Sequence, residues 1–290
     1  MQTQELLILN GNYQIQADLY MPEPITKDSS IIIMAHGLGG EKSCGLNSFA
    51  EAYAELGYNL CVFDHSGFGL SSGPVQHLVD KNSQLQDWKV VIDYIQTRFS
   101  IPKKNIILWG YSFSGAHVLT LASEHTFKAV ISNFPHVDGL ASLTLYPKKY
   151  LLPATMIALQ DLALAKIGRV KTMPVVAKDR FAILAGEDCY DAYYRLIPDG
   201  MHWKNAVPAR IVATIGLYRP TMIVHKIQCP VFVSGAELDS LIPVKATRKL
   251  AQKLKQGEYR EFVCGHFDLF HLPVFDQLIA VHQHFLEKLK

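Results

Sequence analysis

Short, unbroken apolar runs alternating with longer segments of helical spacing constrain this chain more than any other feature. "SIIIMA" at 30–35, "NLCVF" at 59–63 and "NIILW" at 105–109 place apolar side chains consecutively, with no polar alternation. A strand does that when both its faces are covered, as in a parallel sheet flanked by helices. Segments 49–56, 82–99 and 114–123 intervene with apolar residues three and four apart, and a further strand is expected at 128–132. This alternation predicts an α/β fold with a mostly parallel, doubly wound sheet. Ahead of it, residues 5–10 and 13–21 read as strands joined at Asn10-Gly11-Asn12, so an N-terminal antiparallel hairpin is expected.

The alternation breaks near Asp138 and returns with a strand at 230–234, a helix at 244–256, a strand at 260–264 and a last helix from Pro273. Between them lies a stretch rich in Leu, Tyr and Met with scattered Pro, helix-like at 154–165. We therefore expect one α/β core made of residues 1–137 and 226–290, with residues 138–225 inserted as a helical cap. A chain of 290 residues is long enough for that arrangement.

The formal charge is only +2, which gives no electrostatic basis for general nucleic-acid binding. Cys44, Cys61, Cys189, Cys229 and Cys264 are odd in number, scattered and form no CxxC pair, so reduced thiols in a cytoplasmic protein are expected. The first residues lack the basic start of a signal peptide, and no apolar run reaches the ~20 residues of a membrane span. There is no H-E-x-x-H, and His282 and His284, two apart in a helix, do not share a face, so no metal site and no other cofactor is expected. The sequence leaves open whether the protein is a monomer or a homodimer.

"GYSFSG", Gly110 to Gly115, falls between a predicted strand and a predicted helix. A nucleophilic serine needs such a place: a tight turn lifts Oγ above the sheet, and small neighbours let strand and helix approach. The usual spacing is G-x-S-x-G; here Ser114 holds the last glycine position. Ser112 is favoured as nucleophile over Ser114, which would sit inside the helix. A serine hydroxyl needs a base, and the base needs an orienting carboxylate. Asp239 in "GAELDSLIP" and His266 in "CGHFDLF" each follow a later strand, in the order Ser, Asp, His. Glu237 and Asp138 compete for the acid role, while His271 and His117 read as structural. "AHGLGG" at 35–40 can turn the Leu38 N–H toward an oxyanion that the Phe113 N–H also meets. Its continuation "GLGGEKS" is not a phosphate loop, because Glu41 stands where the Walker pattern needs Gly before Lys. "DHSGFGLSSG" at 64–73 imitates a dinucleotide loop with its third glycine displaced, and a structural loop beneath the site is the better reading.

Taken in order, "HGLGG", "GYSFSG", "GAELDSLIP" and "GHFD" resemble the α/β-hydrolase superfamily. Within it, "GLGGEKSCGLNSFAEAYAELGYNLCVFDHSGFG" and "SFSG" are similar to dienelactone-hydrolase-like and peptidase-S15-like esterases, a group that includes thioesterases and polyketide acyltransferases. The resemblance implies a serine hydrolase with Ser112 as nucleophile, His266 as base, Asp239 as its partner, and the Leu38 and Phe113 N–H groups as the oxyanion hole. It also implies a small-molecule acyl ester or thioester as substrate. Where the subgroup often has Arg, this chain has Ser66. Tyr146, Tyr190, Tyr193, Tyr194 and Trp203 supply aromatic surface in the expected cap, either lining a hydrophobic acyl or aromatic site or forming the cap's own core.

Overall fold

The computed structural model describes residues 1–289; residue 290, the last of the expected core, lies outside the described residues. In chain order the first half runs β1 (Gln2–Asn10), β2 (Tyr13–Met21), β3 (Ile31–Ala35), α1 (Leu46–Glu55), β4 (Asn59–Phe63), α2 (Lys81–Phe99), β5 (Ile106–Tyr111), α3 (Ser112–Glu124) and β6 (Ala129–Asn133). The stretch that follows carries α4 (Gly139–Ser142), α5 (Lys148–Ala165), β7 (Thr172–Met173), α6 (Cys189–Tyr194), β8 (Val207–Pro208) and α7 (Ile211–Ile215). Then come β9 (Val231–Ala236), α8 (Val244–Ala251), β10 (Gly257–Phe262) and α9 (Val274–Glu287).

Eight strands form one sheet in the order β1-β2-β4-β3-β5-β6-β9-β10. Strands β3, β4, β5, β6, β9 and β10 are mutually parallel, and the β1–β2 hairpin joins antiparallel to β4. This is the α/β-hydrolase fold. Every residue of β3, β4, β5 and β6 is buried, which is why those segments could be written without polar alternation. Side chains of β3 alternate between two cores. Ile32 and Met34 pack with Phe49 and Tyr53 of α1 and Leu278 of α9; Ile31 and Ile33 pack with Trp88 and Val91 of α2 and Leu121 of α3.

Several boundaries moved from the sequence expectation: the helix expected at 49–56 is Leu46–Glu55, and the one expected at 244–256 ends at Ala251. The helix expected from 114 starts at Ser112, directly out of β5. Helix α5 begins at Lys148 rather than 154 and runs through Pro153, which removes only one helical hydrogen bond. The strand expected at 260–264 is Gly257–Phe262, an edge strand whose exposed Gly257 and Arg260 hid it from a search for apolar runs.

Candidate active site

The carboxyl ends of β3, β5, β9 and β10 lie side by side or one strand apart on one rim, so loops distant in sequence converge there. At β5 there is no loop at all: Tyr111 ends the strand and Ser112 starts α3. The junction holds Ser112 at φ 54°, a left-handed conformation that costs a non-glycine residue about 1–3 kcal/mol. The neighbours must be small. A Cβ on Gly110 would stand 2.3 Å from the Ser114 carbonyl oxygen, and one on Gly115 would stand 2.9 Å from Pro135 Cβ. Ser114 itself is fully buried and its Oγ donates to the His36 carbonyl at 2.6 Å. It ties the turn to the loop after β3 and is not presented to any cleft.

Ser112 Oγ lies 2.9 Å from His266 Nε2, and His266 Nδ1 lies 2.6 Å from Asp239 Oδ2. The other carboxylate oxygen, Oδ1, accepts the N–H groups of Leu241 at 2.8 Å and Ile242 at 2.9 Å. Both Asp239 and His266 side chains are buried. A carboxylate on Nδ1 keeps the proton there and leaves the Nε2 lone pair facing the hydroxyl. Tyr111 steadies the histidine from below, its hydroxyl donating to the His266 carbonyl at 3.0 Å.

The competing acids are placed elsewhere. Glu237 is exposed. Asp138 caps α4 and is held by a two-pronged contact from Arg219 at 2.9–3.0 Å. Burial would raise its pKa, but Arg219 and the N–H groups of Ala141 and Leu140 outweigh burial and hold it below the usual range. His117 is buried between Tyr218 and Gln84, 3.0 Å from each.

The loop after β3 passes against the serine: a Cβ on Gly37 would meet Ser112 Cβ at 3.2 Å. The Gly37 carbonyl accepts from Gly40 N–H at 3.3 Å and from His36 Nδ1 at 2.9 Å, which fixes the peptide that carries the Leu38 N–H. Burial drives the His36 pKa well below its ordinary value, so the ring is neutral; Nδ1 carries the proton and Nε2 accepts from His65 N–H at 3.2 Å. Among the described residues the Leu38 N–H has no hydrogen-bond acceptor. Phe113 is in the first turn of α3, where N–H groups have no helical acceptor. Leu38 and Phe113 line the same cleft as Ser112 and His266.

Two residues that the sequence suggested only as aromatic surface hold the outer side of this loop. Tyr193 hydroxyl donates to the Leu38 carbonyl at 3.1 Å, and Trp203 Nε1 donates to the Gly39 carbonyl at 2.8 Å. Their rings stack with centroids 4.7 Å apart. No local pattern marks them, because their partners lie about 160 residues earlier. Tyr190 and Tyr194 instead pack on each other beside a surface groove away from Ser112.

Ser112 opens on two clefts. The larger spans about 650 Å³, part of it open to solvent, and is walled by Leu143, Leu145, Tyr146, Ile183, Ile215 and Leu241 among others. Tyr146 and His136 in its wall already donate to the carbonyls of Ala182 and Tyr218, so they offer the cleft little beyond carbon. The smaller, about 360 Å³, lies on the far side of Leu38 against Glu41, Cys44, Tyr193 and Phe267. Burial raises the Glu41 carboxyl above its usual range.

The second glycine-rich loop packs under the first. The Asp64 carboxylate accepts Lys42 N–H at 2.6 Å, and a Cβ on Gly69 would stand 2.1 Å from Asp64 Oδ2. Ser66 N–H and Oγ both donate to Asp87, at 2.9 and 2.6 Å. Among the described residues no cluster of His, Cys, Asp and Glu is arranged for a metal, and no helix is long and apolar enough to cross a membrane. All five cysteines are free and buried.

A family model described as serine aminopeptidase, S33, matches residues 26–169. The quorum-quenching protein AidA of Acinetobacter baumannii (strain MDR-ZJ06) is 34% identical over 284 residues, 95% of this chain and 92% of that protein. A monoacylglycerol lipase of Mycolicibacterium smegmatis is 24% identical over 254 residues, covering 84% of this chain and 81% of the lipase. Among solved structures, the α/β hydrolase GrgF from Penicillium sp. sh18 superposes with a TM-score of 0.81 at 22% identity, over 100% of this chain and 97% of that one, a likeness of fold.

Proposed function

The chain belongs to the α/β-hydrolase family, and on that premise we propose that it hydrolyses a carboxylic ester or thioester with a hydrophobic acyl group through an acyl-enzyme on Ser112. The observation that carries this reading is the unbroken line Ser112–His266–Asp239 at 2.9 and 2.6 Å, opening into an apolar cleft. His266 takes the Ser112 proton as Oγ attacks the acyl carbon, and Asp239 stabilises the imidazolium. The carbonyl oxygen, now anionic, is met by the N–H groups of Leu38 and Phe113. His266 then protonates the departing alcohol or thiol, and water repeats the cycle to release the acid.

The acyl group is assigned to the larger cleft, whose walls beside Ser112 are mostly apolar side chains. Residues 138–225, which supply most of its walls, act as the cap. Five buried free thiols fit the cytoplasm. A panel of p-nitrophenyl esters of increasing chain length, with acyl-CoA and aminoacyl-anilide substrates and Ser112→Ala as blank, tests the reading. Each methylene buried is worth about 0.8 kcal/mol, so kcat/KM should rise roughly fourfold per carbon until the cleft is full. A second reading, an amidase, is favoured by the S33 family description and by Glu41 in the smaller cleft. Anilide turnover exceeding ester turnover would select it.

A further inference from the structure

Ten of the twenty exposed large apolar side chains among the described residues fall between 140 and 170. Leu152, Met156 and Leu159 of α5 are 72%, 52% and 56% exposed. Residues 148, 152, 159 and 166 are spaced by four, seven and seven, so Lys148, Leu152, Leu159 and Lys166, the helical-backbone residue that follows α5, fall on one line, about 27 Å from end to end. The opposite side of α5 is buried through Ala154, Ala158 and Asp161. Asp161 is the sole acidic residue from 139 to 178, and it points inward to Arg210 Nε at 2.6 Å and to Lys171 N–H at 2.7 Å. Lys148, Lys149, Lys166, Arg169 and Lys171 are all exposed. The face is thus apolar along most of its length, interrupted by exposed Thr155, whose hydroxyl donates to the Leu151 carbonyl; it is cationic at both ends and free of outward-facing acid.

We propose that this face of α5 docks on an anionic lipid surface, lying in its plane. Exposed apolar patches of this kind mark contact sites, and leucines with flanking lysines are the chemistry of a helix lying in the headgroup region. A second copy fits less well. A two-fold contact sets the same patch against itself, so antiparallel α5 helices would place Lys148 beside Lys166 at both ends with no acid to offset them. The docked orientation also has a consequence for the cleft. Leu143, Leu145, Tyr146 and Pro147, immediately before α5, line the larger cleft and would bring its mouth to the lipid. The docking goes beyond the hydrolase reading and stands without it.

The test is co-sedimentation of the full chain with vesicles of phosphatidylcholine alone or mixed with phosphatidylglycerol, at low and high salt. Partition is expected into the anionic vesicles, weakening as salt rises. Lys148→Gln with Lys166→Gln should reduce it about 25-fold, roughly fivefold for each lysine. Leu152→Gln with Leu159→Gln should reduce it at least tenfold. Unchanged far-UV circular dichroism and urea midpoints would show both variants folded. Absence of partition by the wild-type chain overturns the proposal, as does equal, salt-independent partition into neutral vesicles. A stable dimer in light scattering that the leucine variant dissociates, without vesicle binding, would assign the face to a second copy instead.

Discussion

Replacing Tyr193 by Phe deletes one hydroxyl and leaves its ring stacked on Trp203, which makes it a clean probe of how the oxyanion loop is held. The hydroxyl is buried, and burial pushes its pKa well above the ordinary phenol value, so it remains a donor at any working pH. Its loss strands the Leu38 carbonyl, at a cost of about 1–3 kcal/mol for an unsatisfied buried acceptor. The loop can recover part of that energy by shifting, and a shift misaims the Leu38 N–H. Outright loss of an oxyanion donor costs about 10²–10³ in rate, which bounds the effect. We expect Tyr193→Phe and Trp203→Phe each to lower kcat about tenfold, and the double variant about a hundredfold, with KM little changed. Ester kinetics and the rate of phosphonylation by a fluorophosphonate read the same hole and should fall together. A kcat within twofold of wild type, or a loss confined to KM, would show that the two rings do not hold the oxyanion loop.

Asp239→Asn should lower kcat by about 10⁴ without moving the cleft, because the amide favours the wrong tautomer of His266; an unchanged rate would return the acid role to Glu237 or Asp138. Gly110→Ala should abolish soluble protein or cost several kcal/mol in urea unfolding, since its methyl would overlap the Ser114 carbonyl at 2.3 Å; wild-type stability would contradict the packing described. Acid should destabilise the fold. Burial lowers His136 to about 4 and His282 to about 3, and lowers His36 and His117 well below the ordinary value, so these groups stabilise above the unfolded pKa near 6.5 and that contribution is lost as pH falls. Burial acts in the opposite sense on Asp64, raised to about 7, and on Glu41, which keep protons that the unfolded chain releases. Burial lowers His77 and His271 in the same way, so the lowered histidines outnumber the two raised carboxyls and stability should fall as the pH drops from 6 to 4.5. Urea midpoints that stay level or rise on acidification would contradict this.

The parallel core was legible because β3, β4 and β5 are buried on both faces and therefore apolar throughout. Ser112, Asp239 and His266 could be singled out because each follows its own strand, and the structure brings them within hydrogen-bond reach. Strand β10 was misplaced because an edge strand tolerates polar residues such as Glu258 and Arg260. The departure from G-x-S-x-G has a local cause: Ser114 spends its hydroxyl on the His36 carbonyl, while Gly115 takes the close approach to Pro135. The support from Tyr193 and Trp203 was invisible because tertiary folding alone pairs them with Leu38 and Gly39.

Ser112 is the residue expected to carry the covalent intermediate, and intact-mass analysis with peptide mapping after fluorophosphonate treatment locates the adduct. One adduct is expected, on Ser112, absent from Ser112→Ala and preserved in Ser114→Ala. An adduct that persists in Ser112→Ala, or one that maps to Ser114, would contradict the account.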